Sequence, residues 1–148
     1  MTSIARHTPA GRLHALRGPA IAGAVTGILQ AASPLAFWWL EPKTVYALGI
    51  AVIAAIYIGF SVADGRGHVI AIETIVAALF VVVAAAGVTG SAWLLVLGLA
   101  GHGLKDLWQH GTHFVRNTRW WPPFCATVDF VAAGILTGAV LTGVSFHG

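Results

Sequence analysis

Three histidines and an aspartate recur along one segment, Gly101-His-Gly-Leu-Lys-Asp-Leu-Trp-Gln-His-Gly-Thr-His113. His102, Asp106, His110 and His113 follow one another at steps of four, four and three. At about 100° per residue, their side chains fall within roughly 80° of one another on a helix. Lys105 and Trp108 point away from that stripe, and Gln109 sits at its edge. Imidazole nitrogen combined with carboxylate oxygen suits a hard or borderline divalent cation such as Zn, Fe or Mn. One ion cannot use the whole stripe, because His102 and His113 would stand about 16 Å apart along the helix axis. A centre near Asp106 and His110 needs carboxylates from other segments. Glu73 and Asp129 are the candidates, as ligands or as a general base for metal-bound water. A two-metal centre is the alternative, with His110 and His113 sharing a face with incoming carboxylates. His113 belongs to either only if the helix continues past Gly111.

The elements that must position these groups are membrane helices. Only 9% of the 148 residues are charged and 57% are hydrophobic, where a soluble domain carries about 25% charged residues. Long apolar runs without period-two alternation exclude a transmembrane β-barrel and predict an all-α, polytopic integral membrane bundle. The basic residues lie in connecting segments, so the pI near 9.6 reflects topology and implies no nucleic-acid partner. Cys125 is the one cysteine, which excludes an intramolecular disulfide or a multi-thiolate metal site within one chain.

In chain order, residues 1–17 read as a basic tail, with Arg6, Arg12, Arg17, His7 and His14 broken by Pro9 and Gly11. The remainder, 18–148, reads as one domain of five spans, about 18–40, 44–62, 68–86, 91–110 and 124–146. Pro19 suits the first turn of the first span, and Pro34 predicts a kink in it. The basic start and apolar run resemble a signal peptide, but the run continues to Leu40, long enough to cross a bilayer. Gly111 to Pro123 reads as a basic, aromatic loop. Gly23-x-x-x-Gly27 and Gly134-x-x-x-Gly138 are small-residue faces for close helix packing, within the chain or in a homo-oligomer. Gly101 and Gly103 would let a backbone approach His102, or leave room for a substrate.

Orientation follows from lysine and arginine. With the N-terminus cytoplasmic and the C-terminus outside, Arg6, Arg12, Arg17, Arg66, Arg116 and Arg119 face the cytoplasm and only Lys43 faces out. That orientation puts Glu73 and Asp129 roughly 7–8 Å, Asp106 roughly 6 Å and His102 roughly 12 Å inside the cytoplasmic surface. A charge in hydrocarbon costs roughly 2.5–3.5 kcal/mol on insertion scales, so grouping at one depth predicts a shared site. Ordinary roles account for other polar residues. Asp64 caps a turn and pairs with Arg66, Lys105 snorkels to the interface, and Arg116 and Arg119 set topology. His7, His14 and His147 solvate at headgroups.

The Gly101-His-Gly…Asp106…His110…His113 pattern, with Tyr57-Ile-Gly-Phe60…Asp64-Gly-Arg66, resembles a family of small bacterial multi-pass membrane proteins and implies no activity by itself. Asp106-x3-His110-x2-His113 is similar to one histidine box of membrane hydroxylases and desaturases, which need several boxes. The three-histidine, one-aspartate set is similar in kind to that of membrane ceramidase-like hydrolases, with different spacing and helix count.

The expected function is a metal-dependent enzyme of the cell membrane, acting on a lipid or apolar substrate from the cytoplasmic leaflet. His102, Asp106, His110 and His113 would be ligands, and Glu73 or Asp129 would act on metal-bound water. The alternatives are a proton- or cation-coupled transporter and a haem-binding or structural accessory subunit, the haem needing His68 opposite His102 or His110. The topology is tested by reporter fusions. A periplasmic-type phosphatase should be active at the C-terminus and silent at the N-terminus, and the reverse pattern overturns the assigned orientation.

Overall fold

The computed structural model describes residues 9–117 and 119–144, and every described regular element is a helix. The five are α1 (Pro9–Ala36), α2 (Pro42–Asp64), α3 (Gly67–Thr89), α4 (Trp93–Thr112) and α5 (Trp121–Leu141). Four of them, α4 being the exception, are long and apolar enough to cross a membrane. In α4 the polar stripe lowers the hydropathy, while Leu97, Leu104, Leu107 and Trp108 remain exposed on its outer side.

The helix ends follow local chemistry and depart from the expected bounds, α3 running on to Thr89 and α5 stopping at Leu141, with further differences in α1 and at the start of α5. The helical backbone begins at Pro9, so the basic stretch up to Arg17 continues into the span and is no separate flank. Pro19 therefore lies inside α1 together with Pro34, and the helix ends at Ala36. Residues 37–40 form a turn, with the Leu40 N–H donating to the Phe37 carbonyl at 2.9 Å. Pro122 and Pro123, expected in a loop, form the first turn of α5. Proline fits there because a first-turn N–H has no intrahelical acceptor. The expected placements of Arg6, His7 and His147, and of the last span beyond residue 144, lie outside the described residues.

Two left-handed residues stop helices at the end of the bundle bearing the arginines. Gly65 (φ 78°) closes α2, its N–H donating to the Ser61 carbonyl. His113 (φ 54°) closes α4, its N–H donating to the Gln109 carbonyl. Histidine in this conformation is uncommon, so the stop after Thr112 is a specific feature of the fold.

Contacts fix the helix directions. Gly23 of α1 faces Phe124 and Thr127 of α5, and Gly27 faces Val128 and Val131, so α1 and α5 run parallel. Leu95 and His102 of α4 meet Leu136 and Asp129 of α5, so that pair is antiparallel. Away from the arginine end, Tyr46, Ile50, Leu95, Leu99 and Leu136 form an apolar core, with Leu95, Leu99 and Leu136 at 0% exposure. There the Tyr46 hydroxyl donates to the Ala31 carbonyl at 2.7 Å, which ties α2 to α1.

The first small-residue face is consumed inside the chain. A Cβ on Gly23 would stand 2.6 Å from the Phe124 carbonyl oxygen, and one on Gly27 2.7 Å from that of Val128. Backbone cannot yield as a side-chain tip can. Gly134 and Gly138 have open space instead. Gly27→Leu is therefore expected to cost about 1–3 kcal/mol or more through overpacking, and Gly134→Ala to be neutral. Thermal unfolding in detergent checks the pair, and equal melting temperatures overturn the packing assignment.

Candidate metal centre

α4 and α5 build the centre between them. His102 and Asp106 lie one turn apart on α4, and α5 carries Asp129 to meet them, the three side chains being 0–2% exposed. His102 Nδ1 is 2.9 Å from Asp129 Oδ2 and 3.5 Å from Asp106 Oδ2. One ligand atom from each residue lies within 4.8 Å of the others. Ligand atoms bound about 2.0–2.1 Å from a tetrahedral Zn are roughly 3.3 Å apart, so the imidazole already stands at ligand spacing from both carboxylates. This buried group could hold a metal ion.

Several of its polar atoms find no partner among the described residues. The Tyr57 hydroxyl, His102 Nε2, both Asp106 oxygens and Asp129 Oδ1 are buried without hydrogen-bond partners. Each such orphan costs about 1–3 kcal/mol, more when charged. Phe80 packs edge-on against the His102 ring, centroids 4.9 Å apart, and closes the apolar side of the site.

Glu73 is buried but belongs to an adjoining network. One of its oxygens accepts from Gln109 Nε2 at 2.7 Å. The other lies 2.7 Å from Lys105 Nζ, an ion pair whose angles fall short of a hydrogen bond. Lys105 Nζ also lies 3.6 Å from the centre of the Tyr57 ring. Both Glu73 oxygens thus face partners on α4. Lys105 turns inward and does not snorkel, because a buried carboxylate offers its ammonium a partner.

Gln109 proves more central than its place at the edge of the stripe implied. Its side-chain oxygen accepts the Val115 N–H at 3.0 Å while its nitrogen donates to Glu73. Taking His102 as zero, Gln109 lies only about 20° away, between His102 and Lys105. That angular position was the available signal. Val115, 1% exposed, packs with Tyr57 and Val69 beneath the site. The expected Asp64–Arg66 pair forms, with contacts of 2.6 Å. It does more than cap a turn. Asp64 also accepts the Arg116 N–H at 2.8 Å, and Arg66 donates to the Phe114 carbonyl at 2.6 Å. The connection after α4 is thereby clasped to the α2–α3 turn.

The rest of the stripe is not brought into the centre. His110 is half-buried and His113 exposed, their ring centroids 6.4 Å apart. The left-handed stop at His113 ends the helical face that was to carry it. His68 is exposed in the first turn of α3. The Phe130 ring fills the space beside Gly103, where a Cβ would stand 3.1 Å from it, and Gly101 faces Phe80. The close approach is thus confined to Gly103, since a Cβ on Gly101 would stand 3.8 Å from Phe80. An apolar groove of 340 Å³ lies between α1 and α2 beside Gln30 and Gly49, at the other end of the bundle.

No protein family, curated protein or solved structure matches this chain. The reading of the site therefore rests on its own geometry.

Lys105 and Glu73 test that geometry directly. Lys105→Ala leaves a carboxylate buried without its cation and should destabilise the fold by about 3–5 kcal/mol. The double change Lys105→Met with Glu73→Gln should restore much of that loss. Thermal unfolding in detergent measures both, and a neutral Lys105→Ala refutes the buried pair.

Proposed function

We propose that this is a multi-pass protein of the cell membrane with its N-terminus cytoplasmic, carrying a divalent metal of the Zn, Fe or Mn class. The ion is held by His102, Asp106 and Asp129 and acts on a lipid or other apolar substrate at the cytoplasmic leaflet. The observation that carries this reading is the buried imidazole and two carboxylates at ligand spacing, with both Asp106 oxygens unpartnered. Charge supports it as well. Glu73, Asp106 and Asp129 face one ammonium, Lys105, so two negative charges remain when His102 is neutral. A divalent ion balances them. Three protein ligands also leave a position open on a tetrahedral metal, the arrangement of catalytic zinc.

The roles differ from those expected of the stripe. Asp129 is a ligand and no longer a base, Glu73 is a structural partner of Lys105 and Gln109, and His110 and His113 are not ligands. The bilayer is the surrounding partner. A second copy, where one packs, would use the open Gly134–Gly138 face.

A proton- or cation-coupled transporter is the second reading. The run of polar side chains from His102 through Asp106, Tyr57 and Lys105 to Glu73 favours it. The apolar packing of Ile50, Leu95, Leu99 and Leu136 beyond the centre favours chemistry confined to one leaflet.

Metal analysis of detergent-purified protein separates the two. Wild type should retain close to one equivalent of Zn, Fe or Mn, and Asp106→Ala or Asp129→Asn should lose it. The loss should exceed the roughly 10–100-fold in affinity of a change behind the ligands. A folded wild type that neither retains nor rebinds metal moves the conclusion to the proton-relay reading.

A further inference from the structure

Tyr57 heads the fully buried side chains in size, at 1% exposure, and neither the ligand set nor the Glu73 network uses its hydroxyl. Its ring is held from several directions. The His102 ring centroid is 5.8 Å away and that of Phe60 5.9 Å, with Lys105 Nζ 3.6 Å from the ring centre. Val69 and Val115 complete the packing. The hydroxyl is buried without a hydrogen-bond partner, as are both oxygens of Asp106.

A buried tyrosine hydroxyl ordinarily finds a partner, because leaving it unpaired forfeits the hydrogen bonds it made in water. Here two orphaned groups, a fixed donor and a carboxylate, border the same centre. One small oxygen ligand between them satisfies both. An ion with three protein ligands keeps such a position for water or substrate.

We propose that Tyr57 addresses the exchangeable ligand of the centre. Its hydroxyl donates to the water, or to the substrate oxygen that replaces it, on an ion held by His102, Asp106 and Asp129. The proposal rests on the metal-centre reading above. Tyr57 then selects ligands that accept a hydrogen bond on the α2 side of the ion. Lys105 over the ring face holds the ring in place through its attraction to the π-system. Phenylalanine fills nearly the same volume and supplies no donor.

Azide, an anion that accepts hydrogen bonds and replaces water on Co(II), is the probe. Wild type, Tyr57→Phe and Phe60→Leu are loaded with Co(II) in detergent, and azide is titrated while the visible bands of the ion are followed. All three should hold the same cobalt. Tyr57→Phe should bind azide about tenfold more weakly than wild type. Phe60→Leu, which loosens the aromatic packing and keeps the hydroxyl, should match wild type. Equal azide affinity in wild type and Tyr57→Phe overturns the proposal, as does a cobalt-loaded wild type that takes no azide. Loss of cobalt from Tyr57→Phe alone also overturns it, since the hydroxyl would then serve the ion itself. Failure of the wild type to hold cobalt overturns the metal-centre reading, and this proposal with it.

Discussion

Charge balance in an apolar bundle is the constraint on which the rest depends. Glu73, Asp106 and Asp129 are all buried at the arginine end, and Lys105 is the ammonium placed among them. Carboxylates taken out of water need partners, because the desolvation cost of an unpaired charge exceeds most other terms in a fold of this size. The protein meets that need unevenly. Glu73 receives an ammonium and an amide, whereas Asp106 receives neither. Asp106, on the neighbouring helix, is left without a hydrogen bond, and with His102 and Asp129 it could hold a metal ion.

The surrounding elements divide the work. α4 supplies His102, Lys105, Asp106 and Gln109, so a single helix carries candidate ligands, counter-charge and clasp. α5 brings Asp129 opposite His102 because the two helices run antiparallel. α1 touches none of these groups in the described contacts and instead braces α5 through Gly23 and Gly27. α2 and α3 bring Tyr57 and Glu73, and their joining turn holds the connection after α4 through Asp64 and Arg66. The apolar core beyond Leu99 and Leu136 isolates the polar half from the other end of the bundle.

The same clasp explains how so apolar a chain keeps an irregular connection ordered. Val115 is drawn beneath Tyr57, and its N–H is satisfied by Gln109. Polar backbone groups that leave water must be paired, and those of Phe114, Val115 and Arg116 are paired by side chains from α2, α4 and the turn between α2 and α3. Glu73, Gln109 and Val115 are thus one hydrogen-bonded unit beside the centre.

Much of this was legible in the residues themselves. Apolar run length gave five helices, and the i, i+4 spacing of His102 and Asp106 placed them on one face. The rarity of Glu73 and Asp129 in apolar segments marked both as inward-facing. These follow from local periodicity and from the cost of charge in hydrocarbon, which any neighbourhood must respect. Helix packing decided the rest. Whether His110 or Asp129 joins His102 depends on the angle and register of α5 against α4, which no spacing within α4 encodes. Lys105 turned inward because Glu73 arrives from α3, a partner invisible from its own helix. His113 left the stripe because its backbone adopts a left-handed stop, which the clasped connection after it stabilises. The sequence by itself determined which groups could not be left in lipid, and the tertiary structure decided which met, because pairing between helices is fixed by packing and not by period.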